Sequence, residues 1–254
     1  MTGLNSEPAR SESADEIAQA EARFEGGRPE EVLRWAVARY APRLAFATAF
    51  GPEGLVLLDL IGRERLAVDV FTLDTGLFFP ETYDLWRRLE ERYSVQIRAV
   101  RPALGLDEQA RRHGEALWAR DPDRCCALRK VDPLREALRG HDAWISAIRR
   151  DQTPDRARAR VVEHDRRHGL VKVNPLVEWS ASDVWRHLRA HDVPTNPLHR
   201  QGYPSIGCWP CTGPVAAGED PRAGRWRGRE KTECGLHARP RPAAPVFAAQ
   251  AERS

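Results

Sequence analysis

Apolar residues along the first two thirds of the chain recur in two rhythms. Short consecutive apolar runs bounded by turn residues read as buried strands, and apolar residues three or four apart read as helices. Ala14 to Arg23 predicts a short helix. Pro29 opens a second, Pro29 to Tyr40, in which Val32, Leu33, Trp35, Ala36 and Val37 share a face. Arg43 to Ala49 predicts a buried strand, followed by Phe50-Gly51-Pro52-Glu53-Gly54 and an apolar helix, Leu55 to Ile61, stopped at Gly62. Leu66 to Leu73 predicts a second strand, Glu81 to Tyr93 an amphipathic helix, Val95 to Val100 a third strand and Asp107 to Gly114 a short helix. A further helix is predicted to begin at Cys125-Cys126 and run through Lys130 towards Arg139, before a fourth strand, Ala143 to Ile148. Leu170 to Val173 then leads to Asn174-Pro175-Leu176, and Ser180 with Asp183 marks a capping box for Ala181 to His191. The alternation predicts an α/β fold with a mainly parallel, doubly wound sheet.

Beyond Pro194 the rhythm stops, and prolines and glycines replace apolar residues. Such a segment cannot build a core of its own, so a metal centre, the sheet domain or substrate must order it. The expected organisation is a partly disordered extension over 1–28, an α/β domain over 29–193, an irregular segment over 194–237 and a disordered end over 238–254. A chain of 254 residues suits one such domain with a tail. No apolar run approaches the length of a membrane span, and the polar start, with Glu7 and Glu12, lacks a signal-peptide core. A cytoplasmic location follows as the expectation. The net charge of +3 is too small to indicate nucleic acid, while a pI near 8.7 suits a small anionic substrate.

The five cysteines change the picture. Four fall in two tight pairs, Cys125-Cys126 and Cys208-Trp209-Pro210-Cys211, and Cys234 stands alone near the end. An odd count without a secretory signal argues against a disulfide framework. The arrangement looks like four ligands and one nucleophile. C-x-x-C lets two thiolates reach one centre. Adjacent cysteines suit separate corners of a 4Fe-4S cubane better than a single zinc ion, although spacing alone leaves zinc open. Only Lys130, Lys172 and Lys231 of the 40 basic residues are lysine, and two of them stand beside cysteine motifs.

Two loops at strand ends offer anion chemistry. Phe50 to Gly54 lies between a strand and a helix start, where backbone amides and the helix dipole favour a phosphate. It matches neither of the common glycine-rich phosphate-loop patterns. Asp74-Thr75-Gly76 stands at the carboxyl end of the second strand, where open α/β sheets bind ligands. Arg149-Arg150-Asp151-Gln152-Thr153, with Arg156 after it, follows the fourth strand, and arginines there can hold phosphate or sulfate in bidentate fashion.

Together these motifs resemble the assimilatory adenylyl-sulfate and phosphoadenylyl-sulfate reductases, and most closely the iron-sulfur-containing bacterial adenylyl-sulfate reductases. The marks are Thr48-Ala49-Phe50-Gly51-Pro52-Glu53-Gly54, Leu73-Asp74-Thr75-Gly76 with Pro80-Glu81-Thr82-Tyr83, Cys125-Cys126-Ala127-Leu128-Arg129-Lys130, Ile148-Arg149-Arg150-Asp151-Gln152, Cys208-Trp209-Pro210-Cys211 and Glu233-Cys234-Gly235-Leu236-His237. The resemblance covers nearly the whole chain from about residue 30 to His237. The resemblance implies an adenine-nucleotide α-hydrolase-like, PP-loop fold whose first loop cradles the phosphate and sulfate end of the substrate. It implies one 4Fe-4S cluster on Cys125, Cys126, Cys208 and Cys211 that keeps one oxidation state during turnover, with Lys130 between cluster and substrate. It places Thr48, Gly51, Glu53, Asp74, Thr75, Gly76, Arg149, Arg150, Gln152, Arg222 and Arg225 among the substrate contacts and His237 with Cys234 and Lys130 at the chemistry. The first loop departs from the family's common S-G-A-E-D, with Phe50 for the serine and Gly54 for the aspartate, so Thr48 is expected to supply the hydroxyl.

The implied reaction converts adenosine 5'-phosphosulfate to sulfite and AMP through an S-sulfo intermediate on Cys234. No sixth cysteine exists to discharge it, so thioredoxin, or a glutaredoxin-like donor, is the expected partner as a separate protein, and a homo-oligomer remains open. The 3'-phosphorylated substrate, alone or alongside the other, is the nearest alternative. Two readings from other classes are a PP-loop ATP-using sulfurtransferase or tRNA-modifying enzyme, and a non-catalytic four-cysteine metal-binding module. The absence of an S-G-G-x-D-S loop and the modest charge count against the first.

Overall fold

The structure is a computed structural model and describes residues 13–236. The expected disorder of residues 1–12 and 238–254, and His237, lie outside the described residues. Six strands form one sheet: β1 (Leu44–Thr48), β2 (Asp69–Leu73), β3 (Arg98–Val100), β4 (Ala143–Ile145), β5 (Val162–Asp165) and β6 (Leu170–Val173). Their order is β3-β2-β1-β4-β6-β5, and every neighbouring pair is parallel except β5 with β6. Nine helices accompany them among the described residues: α1 (Ala14–Phe24), α2 (Pro29–Tyr40), α3 (Pro52–Arg63), α4 (Pro80–Tyr93), α5 (Leu106–His113), α6 (Leu117–Arg120), α7 (Pro122–Cys126), α8 (Asp132–Ala137) and α9 (Ala181–Ala190). None is long and apolar enough to cross a membrane.

The chain runs outward from β1 through β2 to β3, then returns to add β4 on the other side of β1. The crevice at the carboxyl ends of β1 and β4 is therefore the topological switch point, where doubly wound sheets bind ligands. Side chains alternate along β1 to serve two cores. Leu44 and Phe46 enter a large cluster with α2, α3 and α9, while Ala45 joins Phe71, Leu134, Leu138 and Trp144 on the opposite face.

Three sequence expectations are corrected. β5 was not foreseen, because Val-Glu-His-Asp reads as a polar loop; the strand is an edge, and Glu21 of α1 accepts from the Val162 amide at 2.8 Å. α3 begins at Pro52 rather than Leu55, since proline suits the first turn. The cysteine helix starts at Pro122, so Cys125 and Cys126 close its first segment. Asp121 caps it by accepting from the Arg124 amide at 2.9 Å. A π-turn then spans Ala127–Val131, and the Asp132 amide donates back five residues to Ala127. Pro133 is the physical cause: it has no amide for the Arg129 carbonyl, and its ring crowds that carbonyl.

α3 and α9 are joined by a buried charge. Asp59 is 0% exposed, and its carboxylate accepts from Tyr93 (2.9 Å), lies 2.8 Å from His187 Nε2 and 3.4 Å from Arg63 Nη1. Burial pushes the Asp59 pKa up, but His187, Tyr93 and Arg63 outweigh it and hold the group below its ordinary value of 3.8. A depressed carboxyl contributes stability above its unfolded pKa and loses it as pH falls through the folded value. Denaturant unfolding followed from pH 7 to pH 3 should therefore show wild-type stability falling below about pH 4. Asp59→Asn should lower stability by about 1.5–3 kcal/mol at neutral pH and remove that part of the acid dependence.

Candidate active site

The first loop is built around Thr48. Phe50 takes the left-handed backbone region (φ 58°), a conformation unusual for a bulky residue, and donates its amide to Thr48 Oγ1 at 3.1 Å. Its ring is buried and stacks on Trp86 with centroids 5.6 Å apart. A Cβ at position 54 would lie 2.8 Å from Thr48 Oγ1. Phe50, Gly54 and Thr48 thus form one unit: the phenylalanine anchors the loop, and the glycine leaves room for the hydroxyl that braces it. Gly51 caps α3 without a side-chain bond, so the first-turn amides of this 12-residue helix face the crevice with no side-chain cap.

Arg149 closes the crevice from the β4 side. Its Nε meets Glu53 Oε1 at 2.9 Å, its Nη1 meets Asp151 at 2.7 Å, and its amide donates to Gln152 Oε1 at 3.0 Å. Thr48, Gly51, Glu53, Arg149 and Gln152 are therefore brought together at the switch point. Arg150 points to other partners. Its Nε donates to the Ala159 carbonyl (2.8 Å) and its Nη1 pairs with Glu25 (3.0 Å) and Glu178 (3.1 Å), tying the end of α1 to the sheet domain.

Asp74, Thr75 and Gly76 brace the cysteine motifs instead of standing free. Asp74 accepts from Tyr83 (2.8 Å), the Gly76 amide (3.1 Å) and Arg101 (3.2 Å). Burial first, and then Asp74, push the Tyr83 phenol up to about 12. The Thr75 carbonyl accepts from Arg129 Nε at 2.7 Å, and the Thr75 hydroxyl lies 3.4 Å from Cys208 Sγ. Arg129, 4% exposed, also donates to Leu104 and Gln109. Thr75 therefore links the helix of the first cysteine pair to the second pair. Trp209 donates its amide to the Leu77 carbonyl at 2.8 Å and completes that link.

All five cysteines are free; Cys125, Cys126 and Cys208 are buried, and Cys211 and Cys234 are half-buried. Burial, with Cys208 and Cys211 adding to it, pushes the Cys125 thiol up to about 11, and burial pushes Cys126 to about 12 against the pull of Lys130. Cys211 also rises through burial and Cys208. Cys208 goes the other way: burial opposes its ionisation, but Lys130, the Thr75 hydrogen bond and Arg225 outweigh it. Lys130 is the counterpart. Removal from water works against its charge, yet Cys208, Cys234 and Cys126 together raise its pKa above the ordinary lysine value. The prospective nucleophile and the paired cysteines thus share one ammonium. Among the described residues, the only three His, Cys, Asp or Glu ligand atoms within 4.8 Å of one another belong to Asp59, His187 and His191. The cysteine sulfurs are spread more widely than a single zinc with bonds of about 2.3 Å requires.

The second predicted arginine pair lies in the irregular segment. Arg225 stacks 4.6 Å over Trp226 and reaches Ser205 at 3.5 Å; a Cβ at Gly207 would meet its guanidinium at 2.3 Å. Arg222 donates to the Thr232 carbonyl at 2.8 Å, and burial lowers its pKa. The tail is docked at several points: Lys231 on Asp123, the Gly235 carbonyl on Arg167, and Leu236 against the cluster of Leu134, Leu138 and Trp144. Glu233 pairs with Arg156 at 2.9 Å. Sequence reasoning assigned no role to Arg129 or Glu233, although each stands within a motif it singles out, and it offered Arg156 as an anion-holding arginine rather than as the partner of Glu233.

Residues 43–214 match the model of the phosphoadenosine phosphosulfate reductase domain. The chain is 51% identical over 207 residues to adenosine 5'-phosphosulfate reductase 1 of Bacillus subtilis, covering 81% of this chain and 89% of that protein. It is 45% identical to the adenosine 5'-phosphosulfate reductase of Salinibacter ruber, covering 98% of this chain and 100% of that one. Among solved structures it resembles the phosphoadenylyl-sulfate reductase of Candida auris, a phosphate complex, with a TM-score of 0.72 and 34% identity over 82% of this chain and 100% of that chain. The fold alone is shared with Candida glabrata FMN adenylyltransferase, at a TM-score of 0.55 and 16% identity over 92% of this chain and 82% of that one. A family model spanning residues 43–214 of the chain and relatives of 45–51% identity place it in the phosphoadenosine phosphosulfate reductase family.

Proposed function

We propose that the chain reduces adenosine 5'-phosphosulfate to sulfite and AMP, with Cys234 as nucleophile. The observation that carries this reading is the placement of Lys130, whose ammonium faces Cys234 as well as Cys126 and Cys208. Two curated relatives of 45–51% identity that carry the adenosine 5'-phosphosulfate reductase name support this substrate over its 3'-phosphorylated form.

The substrate's phosphate and sulfate end sits at the uncapped start of α3, beside Arg149, with Arg222 and Arg225 approaching from the irregular segment. The Cys234 thiolate attacks the sulfonate sulfur, and the sulfur–oxygen bond to the phosphate breaks. AMP departs with the electron pair, leaving S-sulfocysteine. Lys130 and the arginines balance charge on thiolate and leaving group. A dithiol protein of the thioredoxin class then attacks Cys234 Sγ through one thiolate, and sulfite leaves. Its second thiol closes its own disulfide and returns Cys234 to the thiol. Such chemistry belongs in a reducing compartment such as the cytoplasm.

Cys125, Cys126, Cys208 and Cys211 fit a 4Fe-4S cluster better than zinc: no three of their sulfurs lie within 4.8 Å of one another, and burial holds Cys125, Cys126 and Cys211 as thiols that a metal would deprotonate. When bound, the cluster supplies structural and electrostatic organisation of the site, and the reducing electrons come from thiols. His237, three residues after Cys234 in the sequence, is proposed as a further proton donor or cation for the reaction.

Three measurements test this reading. Intact mass after mixing anaerobically purified protein with adenosine 5'-phosphosulfate should show one sulfonate adduct, absent in Cys234→Ser and discharged as sulfite by thioredoxin; no adduct and no AMP release would overturn the reading. A parallel sample with the 3'-phosphorylated compound should react more slowly. Cys208→Ser should lose iron and visible absorption, and a colourless, zinc-loaded wild type would sink the cluster assignment. Arg150→Ala should lower thermal stability while leaving adduct formation within about threefold of wild type, whereas Lys130→Met should slow it by at least about 100-fold.

A further inference from the structure

The residues flanking Cys234 meet the domain through partners of very different burial. Lys231, itself 10% exposed, meets a single carboxylate, Asp123, whose side chain is 81% exposed, and Arg167 reaches the Gly235 carbonyl from the surface. Glu233 differs in its partners. Its side chain is 7% exposed and fits between Arg156, 10% exposed, and Arg222, 24% exposed. Its oxygens lie 2.9 Å from Arg156, 3.2 Å from the Thr153 hydroxyl and 3.6 Å from Arg222 Nη2. Two cations and a donor, from the turn of Thr153 and Arg156 and from Arg222 in the irregular segment, converge on one carboxylate, one peptide unit from the nucleophile.

We propose that Glu233 is the positioning residue for Cys234, locking the thiol in its attack geometry through Arg156 and Arg222. The inference rests on the reading of Cys234 as nucleophile. Arg156 belongs to the turn Pro154–Arg156, and its Nη1 also donates to Gln152, whose side chain accepts from the Arg149 amide. A rigid chain of contacts thus runs from the anion crevice through Arg149, Gln152 and Arg156 to Glu233 and Cys234. The carboxylate also holds Arg156 and Arg222 in ion pairs, and Lys130 is the ammonium whose charge Cys234 favours. Because the clamp grips the backbone beside Cys234 and none of its polar contacts is to the sulfur, it acts on attack. Substrate holding belongs to the α3 side, and discharge belongs to the external dithiol.

Rapid-quench intact mass on the iron-loaded protein separates these steps. Glu233→Gln, nearly equal in shape, should form the S-sulfo adduct about 10- to 100-fold more slowly at saturating adenosine 5'-phosphosulfate. Its iron content, its affinity for AMP and the rate at which thioredoxin discharges the preformed adduct should match wild type. Arg156→Lys should slow adduct formation in the same way, and combining the two should add little further loss. Wild-type adduct formation in Glu233→Gln would overturn the proposal, as would a loss confined to AMP affinity or to iron content. Additive losses in the double variant would overturn it as well. If wild type itself forms no adduct, the nucleophile reading fails first and the clamp falls with it, so the two failures are distinguishable.

Discussion

Sulfur and ammonium support each other out of water, and the site depends on that exchange. A thiol removed from solvent resists ionisation, and a lysine removed from solvent resists keeping its proton. Here Lys130 stands among Cys126, Cys208 and Cys234, and its charge is favoured because they surround it. The fold delivers these groups from three distant parts of the chain: the broken helix carries Cys126 and Lys130, the turn after Tyr203 carries Cys208, and the tail carries Cys234. The joint that makes this possible is the Thr75 carbonyl and hydroxyl, which hold Arg129 and Cys208 respectively. The π-turn matters for the same reason. Pro133 interrupts the helical ladder where consecutive residues Arg129 and Lys130 must serve different partners, one the Asp74 loop and the other the sulfurs.

The doubly wound architecture was legible because parallel strands are buried on both faces and read as apolar runs. Motif order put the Phe50–Gly54 and Arg149–Gln152 segments after β1 and β4, the strands that flank the switch point. β5 was hidden for the complementary reason: an edge strand of Val162, Glu163, His164 and Asp165 carries too few apolar residues to announce itself. Cysteine spacing made the metal and nucleophile candidates visible. The divergent fates of Arg149 and Arg150 were not visible, because adjacent side chains leave a turn in different directions and only the acceptors on neighbouring elements decide. Glu53 and Asp151 take the first, and Glu25 and Glu178 take the second.

The first loop shows how an unusual sequence can keep a common geometry. Phe50 tolerates a left-handed backbone because its ring is buried on Trp86 and its amide is satisfied by Thr48. The hydroxyl that braces this turn needs the space over position 54, where a side chain would collide with it. Neither departure can be judged alone. An aromatic ring at 50, a hydroxyl at 48 and a glycine at 54 form a packing unit, so substituting one towards the commoner pattern disturbs the other two.

Asp59, His187 and His191 have the spacing of metal ligands, whereas the cysteines do not cluster as tightly, and charge balance decides between them. Around Asp59 the cation position is filled: Arg63 Nη1 lies 3.4 Å from its carboxylate and 3.0 Å from His191 Nδ1, while Tyr93 and His187 satisfy its remaining capacity. A dication would have to displace a guanidinium from a site whose only formal negative charge is already paired, so this trio is a structural junction between α3 and α9. The thiols are unbalanced in the opposite sense. Burial pushes three of these thiols above the ordinary thiol pKa, and if deprotonated together they would carry more negative charge than Lys130 alone offsets. Ligand spacing picks out the Asp59 trio and charge balance picks out the cysteines, so the two criteria diverge in this chain.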